Sequence, residues 1–315
     1  EDCAKKQKNI TEECRSNLQD IAYRARERGI KVIDEQLWEK ENGRWQLVMK
    51  VMVKDGCVTT RELTKAVAGA LNRRMIPEKD TKTLIGKGVN LYTYEEEPRF
   101  QAIYGVARMV KDGAAVSGDN FSFLEPESGK MVMCLSDGMG SGSLACKESE
   151  MVIELVEKFL EAGFDVETAA RMMNSAMVMK GQEDLFSTVD ISELDLYDGT
   201  CRFYKIGAAA TFIRRNGIVE CLISTSLPVG VSYKLDMEKS EKDLYNGDFL
   251  VMVSDGVLEY LHVPNPEETM QEIIESIETN NATILAKRIL ERVLLFTGGK
   301  AADDMTVLAT AIWEK

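Results

Sequence analysis

Met131-Val132-Met133-Cys134-Leu135-Ser136-Asp137-Gly138 and Phe249-Leu250-Val251-Met252-Val253-Ser254-Asp255-Gly256 are two apolar runs with one and the same ending. A short continuous apolar run stopped by a turn signal reads as a buried strand, because a helix needs ten residues or more. A strand that stops at Asp-Gly brings a carboxylate to the sheet edge, and the glycine lets the backbone turn and its carbonyl approach a ligand. A lone Asp-Gly after a strand is usually only a turn. Here the Ser-Asp-Gly ending recurs, and two further acidic sites flank strands: Asp119 in Ser117-Gly118-Asp119-Asn120, and Asp303-Asp304 before the run 305–312. Hard divalent cations take several oxygen ligands, and these carboxylates are numerous enough for two ions to share.

Working outward, the strands around these endings predict an antiparallel α+β fold. Turn signals at Asp198-Gly199 and Asn216-Gly217 predict a meander over 194–213 and onward to 223. Two helix pairs interrupt the strands: 143–161 with 166–179 around Gly163, and 266–279 with 282–296 around Asn280-Asn281. Helices inserted in pairs predict sheets with helices packed outside them. The first pair follows Asp137-Gly138 directly, so a small rotation of it would displace the Gly138 carbonyl, and the Met-rich face with Met173 and Met177 is expected to supply a dimer contact.

Toward the N-terminus the pattern changes. Ile10, Cys14, Leu18, Ile21 and Ala25 recur at helical steps and predict an amphipathic helix over 3–28, stopped by Gly29. Strands over 30–38 and 45–53 flank the hairpin signal Asn42-Gly43, Thr59 or Thr60 caps a helix through Leu71, and an extended run covers 89–94. The cluster Glu95-Glu96-Glu97-Pro98 marks a boundary between a domain at 1–98 and one at 99–315. Charge changes there too: 19 Lys+Arg against 17 Asp+Glu before it, 20 against 35 after it. So acidic a C-terminal part argues against nucleic-acid binding, since phosphate would be repelled.

Other classes fall away on composition. No stretch of the 315 residues reaches the length of a spanning helix, so no membrane contact is expected of this fragment itself. Seven cysteines without a C-x-x-C pair point to a reducing, cytoplasmic compartment rather than to zinc or thiol chemistry. The single histidine, His262, sits in a loop beside Pro264, and no G-x-S-x-G elbow exists, which demotes nucleophile–histidine schemes. Gly138-Met139-Gly140-Ser141-Gly142 lacks the spacing of a phosphate-cradling loop and reads as a flexible approach to Asp137. The chain opens on Glu1 with no signal segment and reads as a fragment or processed chain.

The order Ser-Gly-Asp-Asn (117–120), Leu-Ser-Asp-Gly-Met-Gly-Ser-Gly (135–142), Ser-Thr-Val-Asp (187–190), Leu-Pro-Val-Gly (227–230), Val-Ser-Asp-Gly (253–256) and Asp-Asp-Met-Thr-Val (303–307) resembles the metal-dependent protein phosphatase (PPM) family, in particular its sporulation branch. The likeness spans roughly residues 99–313. It implies a PPM-type sandwich of two antiparallel sheets flanked by helix pairs, preceded by a small N-terminal α/β regulatory domain. It further implies a protein-serine/threonine phosphatase holding two divalent cations, manganese first and magnesium second. By motif position Asp137 would bridge both ions, the Gly138 carbonyl would bind one, Asp255 and Asp303 would complete the other, Asp119 would act through water, and Asp304 would hold the loop. The arginine that grips phosphate in other members has no counterpart near Asp119. The implied substrate is a phosphorylated anti-sigma factor antagonist, whose dephosphorylation activates a sporulation sigma factor. A homodimer, contact with cell-division proteins, and a place as the soluble part of a larger membrane-anchored protein belong to the same implication. The alternative is a regulatory or dimerising scaffold with a vestigial metal site.

Overall fold

The computed structural model describes residues 7–40, 43–78, 81–127, 129–140, 142–179 and 186–315. The chain divides into two compact units, with the division between Glu97 and Pro98.

The first unit runs β1 (Lys8–Asn9), α1 (Arg15–Glu27), β2 (Ile30–Glu39), β3 (Trp45–Val53), β4 (Val58–Thr59), α2 (Thr60–Leu71), β5 (Met75–Pro77), β6 (Leu84–Ile85) and β7 (Asn90–Glu96). Its main sheet has the order β1-β2-β3-β7-β5, and every pairing is antiparallel, so the unit is α+β rather than α/β. Leu18, Ile21 and Ala25 of α1 and Leu63 and Val67 of α2 share one core with Leu47, Met49 and Val51 of β3. The expected helix over 3–28 is shorter than its periodicity. Lys8 and Asn9 pair with Glu39 and Trp38, and the Ile10 N–H donates to the Leu37 carbonyl at 2.9 Å, so these backbone groups are spent on a sheet edge. Cys3 and Asn42, on which the helix start and hairpin expectations partly rest, lie outside the described residues. The Thr59 side chain makes no capping bond to α2; Thr60 Oγ1 donates instead to the Lys82 carbonyl at 2.5 Å.

The second unit continues with β8 (Phe100–Met109), β9 (Asp119–Glu127), β10 (Lys130–Gly138), α3 (Ser143–Glu161), α4 (Val166–Met179), β11 (Ser187–Asp195), β12 (Thr200–Ile206), β13 (Thr211–Arg215), β14 (Ile218–Leu222), β15 (Glu238–Asp243), β16 (Phe249–Val253), α5 (Asp255–Glu259), α6 (Pro266–Glu275), α7 (Ala282–Phe296) and β17 (Met305–Glu314). Two antiparallel five-stranded sheets form, β15-β12-β11-β10-β9 and β14-β13-β16-β17-β8. Strand alternation sorts their apolar residues into three layers. Met131, Met133 and Leu135 of β10 meet Leu250 and Met252 of β16 and Leu308 of β17 between the sheets. Val132 and Cys134 turn to the other face, under α3 and α4, while Val251 and Val253 pack under α6 and α7. Each full helix pair thus covers the outside of one sheet. Within one sheet Lys205 Nζ donates to its cross-strand partner Asp190 Oδ2 at 2.5 Å, so a buried charge is met by its opposite, and it reaches Thr211 Oγ1 of the other sheet at 2.8 Å.

Three expectations change. The meander over 194–223 is cut in two: β11 and β12 form one hairpin, β13 and β14 another, and residues 207–210 carry the chain between sheets because β13 pairs with β16 instead of β12. The third helix of the pairs ends at Glu275 rather than 279, since the Arg214 guanidinium binds the carbonyls of Ile277 and Thr279 at 2.6 Å each. Finally, Met173 and Met177 are buried in the core beneath α4, so they are not a dimer face; only Met172 and Met179 of that run are exposed.

Candidate metal centre

Register brings the predicted acids together. Asp137 pairs with Asp119 across β10 and β9, and Asp137 and Gly138 pair with Thr188 and Ser187 across β10 and β11. Because Met131, Met133 and Leu135 face the opposite sheet, alternation carries Asp137 onto that same face. In β16 alternation would do the reverse, placing Asp255 beneath the helices with Val251 and Val253. Instead the strand stops at Val253, and Asp255 opens the short helix α5, which no reading of Ser-Asp-Gly as a simple turn anticipates. A cavity of about 390 Å³ results, lined among others by Lys111, Asp137, Gly138, Asp255, Asp303 and Asp304.

Asp119 lies behind this wall, fully buried, and neither of its carboxylate oxygens has a hydrogen-bond partner although Thr306, Ser254 and Asp137 are its neighbours. Burial raises its pKa, and the Asp304 charge adds to this. Burial also raises Asp137, with the charges of Asp119 and Asp255 next in weight, to about 11. The field extends to Glu259, raised first by Asp255 and then by its own burial. Among the described residues no three Asp, Glu, His or Cys side chains close around one point; the carboxylates line the cavity without converging. As a donor set they suit a hard divalent cation: all oxygen and acidic, with two carboxylate oxygens on Asp119 that make no hydrogen bond and that a cation or bound water would satisfy.

The surrounding scaffold is tight. A Cβ on Gly138 would stand 2.1 Å from the Ala145 carbonyl oxygen in α3, and one on Gly256 would stand 2.3 Å from that of Asp304. Both glycines are therefore required by close backbone approach. Asp304, itself buried, accepts the Lys111 N–H at 2.9 Å through Oδ1 and the Gly118 N–H at 2.7 Å through Oδ2, tying both ends of the connection between β8 and β9 to one carboxylate. Ser187 Oγ donates to the Asp137 carbonyl at 2.7 Å and contacts Ser136 Oγ at 2.7 Å. Ser254 Oγ accepts the Thr306 N–H at 2.9 Å.

Four participants escape sequence reasoning. Lys111 lines the cavity with Nζ 3.6 Å from Asp303 Oδ1. Arg108 does stand beside Asp119, but Nη2 is spent on its main-chain carbonyl at 2.7 Å. Asn120 Nδ2 donates to Ser149 Oγ at 2.9 Å, joining β9 to α3. Glu148, buried on α3 and raised in pKa first by that burial, leaves Oε2 unpartnered, while the Met139 N–H donates to the Phe186 carbonyl at 3.0 Å. An isolated Lys or Glu has no spacing to betray it; the bond from the Lys111 N–H to the distant Asp304 carboxylate delivers that lysine to the acids. Ser141, in the glycine-rich approach, lies outside the described residues.

With this geometry in view, comparison with known proteins is specific. The family profile described as Stage II sporulation protein E (SpoIIE) matches residues 127–312, more than half of the chain. This chain belongs to the SpoIIE family. It is 29% identical over 285 residues to Stage II sporulation protein E of Bacillus subtilis (strain 168), covering 90% of this chain but 34% of that protein. It thus spans about a third of that relative's length. The solved PP2C phosphatase domain of Bacillus subtilis SpoIIE, with a fragment of its regulatory domain, superposes with a TM-score of 0.72 at 28% identity over 96% of this chain and 88% of that one. Phosphoserine phosphatase RsbX of Bacillus subtilis (strain 168) is 35% identical over 86 residues, 27% of this chain and 41% of RsbX. The fold is accordingly the PP2C sandwich of the SpoIIE family. Among the described residues, no helix is long and apolar enough to cross a membrane.

Proposed function

We propose that this chain is the catalytic part, with a portion of the regulatory part, of a metal-dependent protein serine phosphatase. The observation that carries the reading is the cavity itself: acids from the ends of both sheets, Asp137 from one and Asp255 and Asp303 from the other, stand in front of the buried, unpartnered Asp119. Asp137, the Gly138 carbonyl, Asp255 and Asp303 would hold two divalent cations, manganese first and magnesium second, with Asp119 behind them through water. Such cations, when bound, acidify a water and offset charge on phosphoryl oxygens. Asp304 would keep both ends of the loop between β8 and β9 in place, through the two N–H bonds it accepts from Lys111 and Gly118. Lys111, paired loosely with Asp303, is free to swing its ammonium to a phosphoryl oxygen, which supplies the cation missing at the family's arginine position.

Family membership and the likeness to a phosphoserine phosphatase support a finer reading: the substrate is a phosphorylated anti-sigma factor antagonist, whose dephosphorylation activates a sporulation sigma factor. Homodimerisation, cell-division partners, attachment to a membrane-anchored whole and regulation by the first unit belong to this proposal as well. Its test is phosphate release from the phosphoserine form of such an antagonist, with and without manganese. Metal-dependent turnover is expected, and Lys111→Ala should raise KM about tenfold while kcat changes less. Partner binding without turnover at any manganese or magnesium concentration would select the scaffold instead.

A further inference from the structure

The connection between β14 and β15, residues 223–237, combines a pinned backbone with bare apolar side chains. Val229 bridges to Ser187, its N–H donating to the Ser187 carbonyl at 3.0 Å. The Leu227 N–H donates to Asp236 Oδ2 at 3.0 Å. Asn174 of α4, 2% exposed, accepts the Gly230 N–H at 3.0 Å and donates from Nδ2 to the Ser232 carbonyl at 2.9 Å. Yet Leu227, Val231 and Tyr233 are 50, 44 and 81% exposed. A loop whose polar groups are spent on holding its shape while its large apolar side chains face water gains nothing in folding from that exposure, and such patches mark interaction surfaces. Tyrosine and aliphatic anchors on a rigid backbone bind at little entropic cost.

Continuity decides the occupant. Pro228, in the middle of this segment, lines the acid cavity together with Ser187, the residue to which Val229 is bridged. A macromolecule that inserts a phosphorylated side chain into the cavity brings its neighbouring residues within reach of 227–233, since Pro228 is part of the cavity wall. We propose that this segment is the docking rim for the phosphoprotein substrate, with apolar residues beside the phosphoserine packing on Leu227, Val231 and Tyr233, and with Asn174 the positioning residue that holds the rim. The proposal rests on the phosphatase reading above and adds the surface that separates a protein substrate from a small phosphate ester.

The experiment compares two substrates on the manganese-loaded full chain: p-nitrophenyl phosphate, which needs only the cavity, and the phosphoserine form of an anti-sigma factor antagonist. The triple variant Leu227→Ser, Val231→Ser, Tyr233→Ser should lose about tenfold or more in kcat/KM on the phosphoprotein, through KM, while p-nitrophenyl phosphate turnover stays within about twofold. Asn174→Ala should raise the phosphoprotein KM with kcat held, a split that general destabilisation would not produce. Equal losses on both substrates, or none on the phosphoprotein, would overturn the rim. A wild-type chain inert toward both substrates would remove the phosphatase reading instead. Titrating the phosphoprotein against wild type and triple variant would then still decide the rim, equal affinities counting against it.

Discussion

Ser136-Asp137-Gly138 and Ser254-Asp255-Gly256 are the same three residues, and the fold uses them in opposite ways. The first stays within strand β10 to its last residue, and alternation alone aims Asp137 at the cavity. The second leaves β16 and starts α5, whereas continued alternation there would have turned Asp255 away. Each serine stitches its strand to a different neighbour, Ser136 to Ser187 and Ser254 to Thr306, and each glycine is pressed against a different carbonyl, of Ala145 or of Asp304. Equal tripeptides therefore reach one cavity by unequal routes, and the lesson is that a motif names the chemistry while its parity within the strand decides the geometry.

Parallel substitutions test that comparison. The largest effect is expected at the acids: Asp137→Asn and Asp255→Asn should each lower manganese-dependent phosphate release by about a thousandfold, roughly 4 kcal/mol of barrier. Stability without metal should part them. Asp137 is raised by burial and by acids on two sides, so its neutralisation should leave denaturant stability equal or higher, while Asp255→Asn moves it less. Near wild-type turnover of both variants at saturating manganese would falsify the site assignment.

Intermediate effects belong to the glycines. Gly138→Ala and Gly256→Ala each force a backbone oxygen aside, at a cost of about 1–3 kcal/mol in urea unfolding. They should differ in what moves: the first displaces the start of α3 at Ala145, the second the Asp303-Asp304 turn. Manganese titration calorimetry should therefore show weakened binding in both. A Gly138→Ala protein with wild-type stability and manganese affinity would mean that α3 does not press on the site as described.

Effects no larger than those at the glycines are expected at the serines. Ser254→Ala strands the buried Thr306 N–H and should cost about 1–3 kcal/mol. Ser136→Ala leaves Ser187 Oγ with the Asp137 carbonyl as acceptor and should cost about 1 kcal/mol or less. Reversal of this order in thermal melts would show that the stitch on the β10 side is the stronger one.

Much of this protein was legible in residue order alone. Apolar alternation, Gly and Asn turn signals and helical periodicity are local properties, and they located β10, β16, α3, α4 and α7 and the acids at 119, 137, 255, 303 and 304. What stayed illegible depends on partners distant in the chain. Residues 8–10 share the helical spacing of α1, yet pairing with β2 claims them for the sheet. Met173 and Met177 look like any methionine stripe until the sheet beneath α4 buries them. Lys111 carries no motif and becomes part of the site only because the Asp304 carboxylate, nearly two hundred residues on, accepts its N–H. Sequence by itself determined which residue types were present and with what period, hence the antiparallel α+β class and an oxygen-rich acidic site. Tertiary structure decided which strands pair, where the chain crosses between sheets and which way each Asp-Gly faces, since those outcomes are fixed by hydrogen-bond register between segments that no local pattern links.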